Sequence, residues 1–240
     1  MLKQSFYSLK AKEFIYFIDL DEPLVCFNLI NTNQLTSPLI AHYHTFKNEE
    51  YPLYNANPDS LLTDLDSTKL GFVGPRFQYV ALSNWARNGL KIGLGITNTK
   101  LYSDTDIEKI HRIAELEIEF EKIRRLIDSN LPSRFTCLFL AEDNIDGRTM
   151  LKNMFSNRKN FRIAPVEVDF IKVHKADSKW IDAYERNKNI HLIKSYWKGE
   201  NYDANPQYEY LVDGIVKLKK AEDQKYIVEN FDTRPYYHKS

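Results

Sequence analysis

Apolar residues along the chain first gather in two runs, 14–18 and 24–30. A polar segment with Asn and Pro follows, from Asn31 to Ser67, and its stretch HTFKNEEYPLYNANPD reads as loop. The two runs mark a folded extension rather than a disordered tail. From Phe77 the pattern sharpens: FQYVAL predicts a short strand, and SNWARNGLKIG a helical turn closed by Gly89. A long helix is predicted over 105–130, where Ile107, Ile110, Ile113, Ala114, Phe120, Ile123 and Ile127 form an apolar stripe. Thr105 and Glu108 have capping-box spacing at its start, and Asn130 and Pro132 stop it.

RFTCLFLA (134–141) predicts a buried strand, followed by an exposed turn EDNIDG and a short helix over 148–155. FRIAPVEVDFIKVH (161–174) is strand-rich, with one buried face through Val166, Val168 and Phe170. Residues 177–187 predict a helix capped by Asp177 or Ser178. After the loop WKGENYDANPQ, YEYLVDGIVKLKK predicts a hairpin turning at Asp213-Gly214. Strands and helices mix without a βαβ rhythm, so the expected class is α+β with a mainly antiparallel sheet. The expected division is an N-terminal extension, 1–75, packed on a main domain, 76–240.

Composition narrows the chemistry. Lys+Arg and Asp+Glu number 33 each, so no global field draws the chain to nucleic acid or an anionic membrane, and a nucleic-acid acceptor needs a local basic patch. Arg124, Arg125, Arg134, Lys152, Arg158, Lys159 and Arg162 are the candidates for one. Cys26 and Cys137 sit in apolar runs and read as small buried hydrophobes, with no disulfide or metal site expected. The N-terminus reads as no signal peptide and no apolar run as a membrane span, so the expected location is cytoplasmic. With only 8 glycines and neither a P-loop nor a GxGxxG fingerprint, nucleotide-fold enzymes are disfavoured. His42 and His44 would share a face in a strand, but without ligands at metal spacing they read as surface histidines. Trp85, Trp180 and Trp197 read as core or rim aromatics, Trp197 also as a border of a cleft.

Gln207-Tyr208-Glu209 is the most informative local feature. In a strand Gln207 and Glu209 would share a face beside the Pro206 loop. The same pattern also fits a solvated edge strand. Three other segments stand with it. FQYVALSNWARNGLKIG resembles the first core strand and loop of ADP-ribosyltransferase-like domains, often tyrosine-histidine-x-threonine with a glycine turn downstream; here Tyr79 stands where the histidine would. PSRFTCLFLAED (132–143) is similar to the Pro-Ser-Arg segment of a family of uncharacterised bacterial proteins assigned to that fold. YWKGENYDANPQYEYLV (196–212) resembles that family's tyrosine-tryptophan-x-glycine stretch and closing glutamate strand.

The resemblance covers residues 75–220 and implies a split antiparallel sheet with flanking helices and NAD as donor substrate. Breaking the ribose–nicotinamide bond develops an oxocarbenium-like charge that a fixed carboxylate stabilises, and Glu209 is the catalytic candidate. Gln207 would help bind the acceptor. Ser133 and Arg134 would reach NAD through ribose and pyrophosphate, the alternative for Arg134 being a solvated strand start. Tyr79 would take the histidine's place at the ribose, and Tyr102 would either stack on nicotinamide or pack in the core. Small transferases of this kind resemble toxins of toxin–antitoxin or phage-defence systems, which implies a nucleic-acid or protein acceptor and an antitoxin partner. The competing expectation is a catalytically inactive module that keeps the fold and binds a partner through its cleft.

Overall fold

Prolines set the first helices. Pro23, Pro38, Pro52 and Pro75 each open one at its first turn, where a missing N–H is no loss because that group has no intrahelical partner. The computed structural model describes residues 12–47, 51–65, 73–90, 93–94, 100–156 and 158–232. Its elements run β1 (Phe14–Asp19), α1 (Pro23–Thr32), β2 (Gln34–Thr36), α2 (Pro38–Thr45), α3 (Pro52–Asn55), α4 (Pro75–Arg87), β3 (Gly93–Leu94), β4 (Lys100–Leu101), α5 (Asp104–Asp128), β5 (Leu138–Glu142), α6 (Ile145–Met154), β6 (Phe161–Asp177), α7 (Lys179–Asn187), α8 (Ile190–Trp197), β7 (Tyr208–Leu218) and α9 (Ala221–Asn230). The class is α+β, with every described strand pairing antiparallel.

β7 has both edges occupied. β6 pairs with it along its whole length, while β5 and β2 share the opposite edge. β1 then pairs with both β5 and β6, so β5, β1, β6 and β7 close into a ring. Residues alternate across β7. Tyr210, Val212, Val216 and Leu218 pack with Phe14, Ile18, Leu140 and Val166 beneath α1 and α9. Leu211 faces the other way, onto Phe120 and Ile123 of α5 and Ile193, Tyr196 and Trp197 of α8. β1 is thus an inner strand of the same sheet.

Several sequence expectations give way to longer-range packing. FQYVAL lies in α4, not a strand: Gly74 and Pro75 start the helix, and Phe77, Val80, Ala81 and Asn84 are buried at helical spacing. The α5 cap is Ser103 with Asp106, each side chain accepting from the other's backbone N–H, not Thr105 with Glu108. Ser133 to Thr136 form a turn ahead of β5, EDNIDG runs into the first turn of α6, and α8 occupies a stretch where no element was expected. His42 lies in helix α2 and is buried, whereas His44 is exposed.

The Asp213-Gly214 hairpin is absent because β7 runs straight through it. β6 carries the irregularity instead, a register shift between Phe170 and Lys172 opposite this pair. A Cβ on Gly214 would stand 2.2 Å from the Asp169 carbonyl oxygen, so the glycine is required by close backbone approach rather than by a turn.

Candidate functional site

Two places gather polar chemistry, one sealed and one open. The sealed one lies between α5 and the face of β7 that carries Glu209, Leu211 and Asp213. Arg134 Nη1 donates to Glu209 Oε1 at 2.8 Å and to the Tyr196 hydroxyl at 2.6 Å. Its Nε and Nη2 form a fork onto Glu117 at 2.8 and 3.0 Å. The Tyr196 hydroxyl donates to the same Glu209 oxygen at 2.5 Å. One turn along α5, Arg124 binds Glu121 through Nε and Nη2 at 2.9 and 2.6 Å, and Ser133 Oγ donates to Glu121 at 2.8 Å.

Arg134 and Glu209 are each 1% exposed and Ser133 3%, so this is interior chemistry. Burial alone would weaken the Arg134 cation, but Glu117, Tyr196 and Glu209 overcome it and hold the charge. Burial and the facing Glu209 push the Tyr196 hydroxyl well above its usual range, outweighing Arg134, so it stays a donor. Burial opposes ionisation of Glu121, yet the hydrogen bonds and charges of Arg124 and Arg125 keep it anionic. Glu209 Oε2 and both Asp213 oxygens have no hydrogen-bond partner.

The open place is a cleft of about 590 Å³, within the size range of small-molecule sites. Its walls include Glu142, the N-terminal turn of α6, Lys175, Lys179 and the 204–208 segment. Asp177 builds the rim. Fully buried, it accepts from the backbone N–H of Gln207 at 3.0 Å, Lys179 at 3.2 Å and Tyr202 at 2.9 Å. One carboxylate thus ties the ends of β7, α7 and the preceding loop. Asp177→Asn, which puts an NH₂ donor against one of these N–H groups, is expected to cost about 1–2 kcal/mol. Accelerated amide exchange at Tyr202, Lys179 or Gln207 with a lowered melting point would show it; unchanged exchange at all three would refute the tie.

The sequence candidates are thus divided. Arg134 and Glu209 bond each other in the core, and Ser133, also buried, bonds Glu121 instead. Gln207 is half-buried and lines the cleft one residue ahead of β7, while Glu209 is buried and does not line it. Tyr79, on α4 rather than a core strand, and Tyr102 are both half-buried; after burial, Tyr79 is the next cause that raises the Tyr102 pKa. No hydrogen bond or ring contact among the described residues joins either tyrosine to Glu209, Arg134 or Ser133.

Trp197 is buried, donating to the Phe120 carbonyl at 2.8 Å, and does not border the cleft. Arg124 and Arg134 are buried too and drop out of any basic surface patch. Sequence reasoning missed Asp177, Lys179 and Glu142; an Asp-Ser pair ahead of a helix was the one local signal for the first. No group of three or more metal-ligating side chains occurs among the described residues, and no described helix is long and apolar enough to cross a membrane. A family model described as "Protein of unknown function (DUF2441)" matches residues 30–226. No curated protein matches the chain.

Proposed function

The chain belongs to the DUF2441 family, and from that premise we propose that it is a binding module of ADP-ribosyltransferase-like build whose working surface is the cleft at Gln207. The observation that carries this reading is the state of Glu209: 1% exposed, with Arg134 at 2.8 Å and Tyr196 at 2.5 Å on one oxygen. A carboxylate that stabilises a ribosyl cation must reach the sugar with its charge uncompensated. Here a guanidinium already bonds that carboxylate.

The transferase is the second reading, favoured by the bond between Arg134 and Glu209, two of the residues the resemblance singles out, and by the unbonded Oε2 of Glu209. On that reading NAD binding would have to open the network, and a nucleic-acid or protein acceptor and an antitoxin would follow.

NAD consumption in cell lysate separates the two. Wild type and Glu209→Gln are expected to leave NAD intact alike, and neither should be toxic on expression. Consumption by wild type that falls on the order of 10²–10³-fold in Glu209→Gln would establish the transferase instead.

A further inference from the structure

We infer that the cleft is a site for a small phosphate-type oxyanion, held by Lys175 and Lys179, and that Asp203 competes with it for Lys179. Lys179 Nζ lies 2.9 Å from both carboxylate oxygens of Asp203, and one of these also accepts from the Asn205 N–H at 2.8 Å. The loop thus presents two anionic oxygens to a cleft lysine in the geometry a phosphate would use. The hydrogen bond from Lys179 keeps the Asp203 carboxyl below its ordinary range.

The charges of the wall add up unevenly. Lys12 is neutralised by Glu142, which also accepts from the Tyr210 hydroxyl. Asp146 lies on the α6 side. Lys175 has no carboxylate within ion-pair distance among the described residues; its Nζ sits 3.3 Å above the Tyr208 ring centroid, fixed against the wall. With Asp203 released from Lys179, the cleft wall carries Lys12, Lys175 and Lys179 against Glu142 and Asp146, an excess of positive charge. The Asp203 pair is easily exchanged, because both its members reach solvent and surface pairs contribute little stability. Asp177 meanwhile keeps the loop ends and the α7 start in place, so exchange needs no unfolding.

This inference rests on the cleft being the working surface, and its test is independent of NAD turnover. The full chain is titrated calorimetrically with inorganic pyrophosphate and with ADP, with adenosine as the uncharged control. Pyrophosphate and ADP should bind with an affinity that falls as salt rises, and adenosine should not bind. Asp203→Asn should bind pyrophosphate about tenfold more tightly, and Lys179→Ala and Lys175→Ala each at least tenfold more weakly, about 1.4 kcal/mol per tenfold step. Equal affinity in wild type and Asp203→Asn, binding indifferent to Lys179, or adenosine binding as well as ADP would each overturn it. Failure here without NAD consumption removes the ligand class alone, whereas Glu209-dependent NAD consumption removes the binding-module reading and leaves the titration to stand or fall by itself.

Discussion

Replacing Arg134 with alanine is expected to lower stability by about 3–5 kcal/mol, the cost of removing one member of a buried ion network. Among the described residues the guanidinium is the sole side-chain cation bonded to Glu209 and the main one on Glu117, with Arg76 3.6 Å from Glu117. Both carboxylates lie in the interior, where an uncompensated charge is expensive. The melting point should fall by roughly 10 °C for a chain of this size. Glu209→Gln should cost less, about 1–2 kcal/mol, because Arg134 keeps both bonds to Glu117 and an amide oxygen still accepts from Tyr196 and Arg134. Denaturant unfolding monitored at Trp197, which packs beside Tyr196, reads both variants. An Arg134→Ala protein as stable as wild type would show that the network is not structural and return Arg134 to the transferase reading.

That network is where sequence reasoning reached its limit. The long helix α5 was legible because its apolar stripe is local, and β5 and β6 because unbroken or alternating apolar runs are local too. FQYVAL failed because six apolar-rich residues fit a strand or a buried helix, and the deciding signals, Gly74 and Pro75, lie outside the run. Asp213-Gly214 failed because a turn dipeptide yields when β6 offers a partner on one edge and β5 and β2 on the other. The candidates Ser133, Arg134 and Glu209 were picked by resemblance; Arg134 bonds Glu209, while Ser133 turns to Glu121. What the sequence could not disclose was what would meet them. Arg134 finds Glu117 across 17 residues and Glu209 across 75, and no local pattern announces that Glu117, in the middle of a helix with charges all round, is buried.

Asp213→Asn is expected to stabilise the protein by up to about 4 kcal/mol at pH 8, and hardly at all near pH 4. The Asp213 carboxyl is fully buried, and neither oxygen has a hydrogen-bond partner. Burial raises its pKa from 3.8 to about 7, with Lys172 and Arg124 only partly offsetting the effect. In the unfolded chain the group ionises near the ordinary value, so between about pH 4 and 7 the folded state holds a proton that the unfolded state has lost. Stability is therefore fully present below about pH 4, declines as pH rises, and is lowest once pH passes the folded pKa of about 7. About three units of difference at 1.36 kcal/mol each sets the scale. Asparagine has nearly the same shape and does not titrate, so it removes the decline at its source. Its NH₂ finds no acceptor that the carboxylic acid lacked, which is why the gain vanishes at low pH. The deciding measurement is the unfolding free energy of both proteins across this range. Parallel curves would mean that Asp213 carries no proton in the folded protein, and that Arg124 or Lys172 compensates its charge after all.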